Sequence, residues 1–158
     1  MNIYDIWFSR IDISNDIKLK LLEKFDIDTI WKLTKNELLE LGLLESSVNQ
    51  ILDIKYKMNL EKYEKYFSKN GIDLITFKQQ DYPIKLSNIS SRPAYIYVRG
   101  DRHILDDDSV AIIGSRRCTD NGKKLSYQIA KDLGNKNVNT VSGLAIRNWY
   151  LCTYGELR

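Results

Sequence analysis

Two short strand-like segments, each followed by a turn of small residues, constrain the fold of this chain more than any other feature. Residues 110–113 read Val-Ala-Ile-Ile and lead into Gly114 and Ser115. Residues 138–143 read Val-Asn-Thr-Val-Ser-Gly and repeat the arrangement. The first run is continuous, apolar and largely β-branched, which is typical of a strand buried on both faces of a parallel sheet, and residues 138–141 are predicted to form a second strand.

The segment between the two runs has the pattern of an amphipathic helix. Its apolar residues recur at helical spacing with lysines between them, and they are Leu125, Ile129, Ala130 and Leu133. Gly134 follows at the position where a glycine commonly ends a helix. The sequence therefore predicts one β-α-β unit with a helix over residues 121–133. Because ligands of open α/β sheets bind beyond the carboxyl ends of the strands, we expect both small-residue turns to face the same crevice.

The residues of these two turns favour the binding of an anion. Free backbone N–H groups at a Gly-Ser turn and at a helix start favour phosphate, and an arginine adds a permanently charged bidentate donor. A single Gly-Ser-Arg loop is a weak signal, however, and a glycine required only by the turn explains it equally well. The G-x-G-x-x-G dinucleotide pattern and the P-loop lysine pattern are absent. The candidate binding residues are Gly114, Ser115, Arg116, Arg117, Ser142 and Gly143.

Several of these motifs occur together in a known family. The chain resembles the DNA processing protein family DprA, also called Smf, well over residues 60–145 and more loosely over the N-terminal helices. The matching residues are the run 110–116, Gly122, the run 141–145 and, upstream, Asp81-Tyr82-Pro83, Leu86, Pro93, Tyr97 and Arg99-Gly100.

The resemblance implies a protein that binds single-stranded DNA and loads the recombinase RecA during natural transformation, with no enzymatic activity and no cofactor. The family's Gly-Ser-Arg loop contacts DNA phosphate, so the implied contacts are Gly114, Ser115 and Arg116, with Arg117 as an adjacent candidate. In the family, dimerisation and the RecA contact lie in the second half of the Rossmann-like domain. We therefore expect this chain to lack both the homodimer interface and the RecA contact.

Composition and charge argue against several other classes of protein. Lys and Arg number 24 against 21 Asp and Glu, so nucleic-acid binding requires a local basic surface. The two cysteines lack metal or redox spacing, and the one histidine, His103, lies in a polar turn, so we expect no metal site and no catalytic residues. No apolar run approaches the ~20 residues of a membrane span, and the charged N-terminus does not fit a signal peptide. The sequence predicts a cytoplasmic protein with no membrane partner.

The predicted fold class is α/β, with a SAM-like helical domain over residues 1–70 followed by an incomplete Rossmann-like parallel sheet domain over residues 71–145. The helical signals are an N-cap at Ser14, a capping box at Thr34 and Glu37, a second possible box at residues 47–50, and stops at Gly42 and Gly71. After Gly71 the sequence predicts strands over residues 72–77 and 94–98 and one helical turn over residues 84–89.

Two features of the helical domain allow a nucleic-acid contact without requiring one. Residues 38–48 have the outline of a degenerate helix-hairpin-helix, but only Gly42 stands where DNA-binding hairpins have two glycines, so we favour a packing module. Aromatic and basic residues also alternate, an arrangement that can stack bases, although core-facing spacing and i,i+4 ion pairs favour an ordinary solvated helix. These residues are Tyr56, Tyr63, Tyr66 and Phe67 with Lys55, Lys57, Lys62, Lys65 and Lys69.

The last residues, 146–158, depart from the family, which continues with a Gly-Ile-Asp motif and an Ala-His pair. A one-base frameshift of the back-translated tail recovers most of those residues in order. We therefore expect an aberrant tail after Ala145, a truncated family member, and marginal stability or a sticky oligomer, since open sheet edges are liabilities. The alternative is a genuine short variant with an unrelated tail.

The function predicted from the sequence is a single-stranded DNA-binding protein of DprA type that acts in DNA uptake, competence and recombination. Two alternatives stay open. One is a Rossmann-like enzyme that binds nucleotide phosphate, resembling the lysine-decarboxylase-like hydrolases, although no glutamate and threonine cluster for that chemistry is found. The other is a non-functional fragment.

Overall fold

A computed structural model describes residues 2–114 and 119–143 of the chain. The described residues form an α/β fold, which confirms the predicted class. The chain divides into two compact units, Met1–Arg102 and His103–Arg158. In the described ranges, no helix is both long enough and apolar enough to cross a membrane.

The first unit combines helices with one pair of strands. The helices are α1 (Ile3–Ser9), α2 (Asn15–Lys24), α3 (Ile27–Lys32), α4 (Lys35–Glu40), α5 (Glu45–Lys57), α6 (Leu60–Asn70) and the single turn α7 (Ile84–Ser87). The strands are β1 (Ile72–Thr76) and β2 (Tyr95–Arg99), and a 3-10 turn at Arg102–Asp106 spans the boundary between the units. The predicted strands and the predicted helical turn after Gly71 are therefore confirmed.

Side-chain caps determine where several of these helices begin. Ser14 caps α2 and Asn59 caps α6, each by accepting a backbone N–H. Thr34 and Glu37 form a complete capping box on α4, in which the Thr34 N–H donates to Glu37 Oε2 at 2.8 Å. These bonds satisfy backbone donors that have no partner within the helix. They confirm the predicted N-cap and the first predicted capping box.

The second predicted capping box, at residues 47–50, is wrong. Helix α5 begins at Glu45, and its N-cap residue Leu44 makes no side-chain cap bond. Ser47 lies inside the helix and is buried, next to Val48, which is fully buried. Helix α5 therefore starts without a side-chain cap, and its first turn contributes to the core through Val48.

The predicted helix stops coincide with left-handed backbone. Gly71 follows α6 with φ +60°, and Gly42 follows the end of α4 with φ +81°. A residue with a Cβ atom rarely adopts such angles, so glycine permits the chain to reverse at these two points.

The first unit has a main hydrophobic cluster to which five of its helices contribute. Trp7, Phe8, Leu38 and Ile51 are among its buried side chains, each at most 1% exposed. Complete burial of a side chain of this size contributes roughly 1.5–3 kcal/mol relative to leaving it in water. A second, smaller cluster consists of Ile6, Phe67 and Leu74.

The strand pair β1–β2 packs against both hydrophobic clusters. The two strands are antiparallel, with Leu74 opposite Tyr97 and Thr76 opposite Tyr95. Leu74 belongs to the second cluster, and Tyr95 packs against both clusters, with its ring centroid 6.3 Å from that of Phe8. The strand pair and the N-terminal helices therefore share one core, and the boundary predicted at residue 70 stays a prediction based on composition.

The second unit contains the predicted β-α-β arrangement. Its strands are β3 (Ser109–Ala111) and β4 (Asn139–Val141), and they pair in parallel on either side of helix α8 (Asp120–Gly134). A right-handed crossover through a helix is the usual way to join parallel neighbours. The β-α-β prediction is confirmed in the described residues.

The end of α8 differs from the prediction. Gly134 is the last helical residue rather than the residue that terminates the helix, and Asn137 adopts the left-handed conformation with φ +56°. The N–H groups of Lys136 and Val138 both bond to the carbonyl of Leu133, at 2.9 and 3.0 Å. Asparagine tolerates the left-handed region better than most residues, so the chain reverses three residues later than the glycine suggests.

The predicted burial of the first strand, residues 110–113, on both faces is wrong. Val110 and Val141 are 42% and 54% exposed, and Ile113 is 89% exposed. In the described part of this unit, two strands and one helix form a single pair of layers. Apolar side chains on the other face of such a sheet have nothing to pack against.

Candidate functional site

The two small-residue turns begin at the same edge of the parallel strand pair. Ala111 at the end of β3 lies opposite Val141 at the end of β4. The Ile112 N–H then donates to the carbonyl of Val141 at 2.9 Å, which extends the pairing by one residue beyond β3. Gly114 and Ser142 therefore follow neighbouring strand ends, as the sequence predicts.

Three of the predicted site residues are described and three are not. Gly114 and Gly143 are exposed, and Ser142 is half-buried. A methyl group added at Gly143 would meet no atom within 4 Å, so the space beside its backbone is open. Ser115, Arg116 and Arg117 lie outside the described residues, and their part in the site stays a prediction.

The start of α8 contributes backbone donors to the same unit. Thr119 is the N-cap, and its side chain accepts the N–H of Gly122 at 3.2 Å. The first turn of a helix carries a partial positive charge, which favours anions near it. The prediction did not identify Thr119, although a threonine just before an amphipathic pattern is an N-cap signal.

Two lysines lie in the first turns of α8, on a shallow depression of about 460 Å³ that Asp120 and Tyr127 also line. Lys123 pairs with Asp120 at 2.5 Å, so much of its charge is neutralised locally. Lys124 has no ion-pair partner among the residues that the structure describes. The first turns of α8 are therefore mildly basic, and the strongest predicted cations of the site are Arg116 and Arg117.

The described residues hold no group of three or more His, Cys, Asp or Glu side chains able to bind a metal ion. Asp106, Asp107 and Asp108 are all exposed. Three consecutive exposed carboxylates diverge from one another, so they do not converge on a common point.

Tyr97 is one of the upstream residues that resemble the family, and its side chain makes contacts within the first unit. Its hydroxyl lies 2.5 Å from Ser9 Oγ, and its ring meets Phe67 edge-on at 5.6 Å between centroids. The side chain of Tyr97 therefore packs between α1 and α6.

The helix-hairpin-helix-like segment, residues 38–48, packs into the main hydrophobic cluster. Leu38 and Val48, at either end of residues 38–48, are fully buried. Lys35 reaches across to Glu45 with an ion pair of 2.9 Å. The structure supports the preference for a packing module at this segment.

The aromatic and basic residues of α5 and α6 are divided between the core and the surface. Phe67 is 4% exposed, whereas Tyr56 and Tyr66 are 80% and 56% exposed. Arg10, from the end of α1, lies over the ring of Tyr63 at 4.7 Å from its centroid. The solvated-helix interpretation holds only for part of this segment, and the contact of Arg10 with Tyr63 has no local sequence signal.

Comparisons with known proteins agree with this arrangement. The family model for DNA recombination-mediator protein A matches residues 73–147. Protein Smf of Borreliella burgdorferi is 26% identical over 129 residues, which are 82% of this chain and 40% of that protein. DNA processing protein DprA of Bacillus subtilis is 31% identical over 80 residues, which are 50% of this chain and 27% of that protein. This chain thus spans less than half the length of these two relatives.

A solved structure shows the same fold. The X-ray structure of DNA processing protein A from Streptococcus pneumoniae aligns with a TM-score of 0.69 at 19% sequence identity. The alignment covers 99% of this chain and 54% of that one. Residues 73–147, which hold the β3–α8–β4 unit and both small-residue turns, are thus similar to the DNA recombination-mediator protein A family.

Proposed function

We propose that this chain binds single-stranded DNA, without catalysis, through the turns that follow β3 and β4. The observation that carries the proposal is the parallel register of the two strands. It starts the turns at Gly114 and Ser142 from one sheet edge, within the segment that matches the recombination-mediator family. Backbone N–H groups and arginines recognise phosphate whatever the base, so binding should be sequence-tolerant.

The proposed contacts combine three kinds of donor. Gly114 and Gly143 offer exposed backbone, the first turn of α8 offers a partial positive charge, and Arg116 offers a bidentate guanidinium. Each phosphate that is neutralised releases condensed counterions, so affinity should fall as salt rises.

Fluorescence anisotropy with a labelled oligothymidylate tests the proposal. Wild-type protein, Arg116→Ala and the control Lys136→Ala are titrated over a salt series. Lys136 is an exposed residue beyond the far end of α8 and carries the same charge. Arg116→Ala should weaken binding and reduce the slope of log K against log salt by about 0.7, the value for one phosphate on a single strand. Lys136→Ala should change neither quantity.

Unchanged binding by Arg116→Ala would contradict the proposed site. If both variants bind as the wild type does, Arg116 takes no phosphate and the site is misplaced. Circular dichroism of all three proteins controls for folding. Competition by a nucleoside monophosphate at low concentration would instead favour the mononucleotide-binding alternative.

Family resemblance extends the proposal to a role in DNA uptake, natural transformation and recombinase loading, in the cytoplasm. The resemblance assigns RecA contact and dimerisation to the second half of the Rossmann-like domain. We therefore propose DNA binding alone for residues 1–158, and a pull-down with RecA over this chain should recover no more than background.

A further inference from the structure

The first unit carries a depression that the proposed function does not use. It lies where α5 passes into α6, beside the end of α1, and has a volume of about 530 Å³. Its lining is basic and aromatic, and includes Arg10, Lys57, Met58, Lys62, Tyr63 and Tyr66. We call it the α5–α6 depression. Its volume is in the range of small-ligand sites.

The charge of the α5–α6 depression is positive and largely uncompensated. Asp53 is the one carboxylate that lines it, and this group pairs with Lys57 at 2.5 Å. Among the described residues, neither Arg10 nor Lys62 has an ion-pair partner. Two cations therefore remain available to an anionic ligand.

The aromatic rings beside these cations differ in exposure. Tyr66 is 56% exposed, although phenol rings are usually at least partly packed in a core. Tyr63 is half-buried against the second cluster and supports the guanidinium of Arg10 at 4.7 Å from its ring centroid. An exposed ring next to unpaired cations is the combination that stacks a base and holds its phosphate.

The elements that carry these side chains are held firmly. Ile6, Trp7 and Phe8 are fully buried, so the end of α1 that bears Arg10 is anchored in the core. Phe67 anchors α6, and Asn59 caps its first turn by accepting the N–H of Lys62 at 2.9 Å. Pre-ordered contact residues lose little conformational entropy when a ligand binds.

We propose that the α5–α6 depression is a second contact for single-stranded DNA, in which a base stacks on Tyr66 while Arg10 and Lys62 take the phosphate. The proposal rests on the proposed function only for the class of ligand, since its residues all belong to the first unit. An acidic peptide would satisfy the cations but would leave the exposed ring without a stacking partner.

Two pairs of variants in the full chain test this contact by anisotropy with labelled oligothymidylate. Lys62→Glu and Tyr66→Ser alter the depression. Lys65→Glu and Tyr56→Ser make the same changes at exposed positions that do not line it. Loss of one stacked base corresponds to at least fivefold weaker binding, so Tyr66→Ser should weaken binding by about fivefold or more. Lys62→Glu should do likewise, and the two controls should stay within twofold.

An abasic strand of the same length separates stacking from charge. On that strand Tyr66→Ser should bind as the wild type does, while Lys62→Glu should still bind more weakly. Equal loss in Tyr66→Ser on both strands would contradict stacking. Displacement of the oligonucleotide by polyglutamate at equal charge would contradict a nucleic-acid site and favour an acidic peptide.

Arg116→Ala, measured in the same series, distinguishes the two proposals. If Arg116→Ala loses affinity and the depression variants do not, the proposed turn site is supported and the second contact is overturned. If only the depression variants lose affinity, the second contact is supported and the proposed turn site is contradicted. If the wild type does not bind the strand, both are overturned.

Discussion

The phenol of Tyr95 donates a 2.8 Å hydrogen bond to Oδ1 of Asp5, 90 residues away in the sequence. The bond ties β2 to α1. Burial raises the pKa of the Asp5 carboxyl, and the hydrogen bond from Tyr95 partly offsets that effect. Burial and the nearby Asp5 carboxylate raise the pKa of Tyr95, so the phenol keeps its proton and remains a donor.

Removal of this donor should destabilise the first unit. Tyr95→Phe leaves a partly buried carboxylate without its partner, which costs about 1–3 kcal/mol. Urea unfolding followed by tryptophan fluorescence measures the loss, since Trp7 is buried in the main cluster and Trp31 packs against it. The control Tyr56→Phe removes a hydroxyl from a side chain that is 80% exposed, and it should change the free energy of unfolding by less than about 0.5 kcal/mol. Equal effects at both positions would contradict the importance of the buried bond.

The carboxyl of Asp5 should also make stability depend on pH. Because its pKa is higher in the folded state than the ordinary 3.8, folding favours the protonated form. The stability that the protonated Asp5 carboxyl contributes is fully present below pH 3.8, and it is lost as pH rises through the raised pKa. Asp5→Asn keeps an acceptor for Tyr95 without the charge. The stability of the variant relative to wild type should therefore be higher at pH 7 than at pH 3.

Paired urea titrations of Asp5→Asn and wild type at the two pH values measure this difference. Asp73→Asn, at an exposed position of β1, gives the background change for such a substitution. A difference that is constant with pH would mean that Asp5 does not titrate with folding.

The left-handed backbone at Gly71 should be intolerant of a side chain with Cβ. An alanine there meets no neighbouring atom within 4 Å, so the cost is conformational, about 1–2 kcal/mol. Gly71→Asn should cost less, because asparagine adopts this conformation more readily. Thermal melts of the two variants compare them. A stability of Gly71→Ala equal to that of wild type would contradict the assigned φ angle.

The observed capping box and the one wrongly predicted at residues 47–50 should respond differently to alanine. Thr34→Ala removes the side-chain cap of α4 and should cost about 1 kcal/mol. Ser47→Ala falls inside α5, where alanine is a better helix former, and should be neutral or slightly stabilising. Urea unfolding of both proteins provides the comparison. A larger loss from Ser47→Ala would mean that its hydroxyl does cap a helix.

Gly143→Ala separates folding from DNA binding at the turn after β4. The added methyl group has open space around it, so secondary structure and melting temperature should not change. If a phosphate approaches the backbone at Gly143, the methyl group obstructs it, and the loss of one hydrogen bond weakens binding by about two- to tenfold. Anisotropy with the oligothymidylate measures the change. Unaltered affinity would place the strand away from Gly143.

The features that the sequence predicts correctly depend on residues close together in the chain. The caps at Ser14 and Thr34 act over three residues, so their side chains identify them. The β-α-β unit follows from the change of period between strand and helix. For the same reason, the placement of Gly114 and Ser142 at one sheet edge could be predicted before the structure was known.

What the sequence does not predict depends on distant partners. Helix α5 starts without a side-chain cap, and its first turn packs through Val48 among residues of other helices. The exposure of Val110 depends on how many layers cover the sheet, which no local pattern encodes. The position of Arg10 over Tyr63 joins α1 to α6 and has no signal in either segment. The roles of Ser115, Arg116 and Arg117 stay predictions.

Because Tyr95 packs against both hydrophobic clusters, the core of the first unit is completed only after β2 has been synthesised. Helices α1–α6 leave the ribosome before the strand that completes their core. At ~5–20 residues per second, the interval between Asn70 and Tyr95 is roughly 1–5 s. During that interval the nascent helices lack the ring partners of Phe8 and Phe67 on β2. Ribosome-bound chains arrested before Tyr95 should therefore recruit chaperones that chains arrested well after it release.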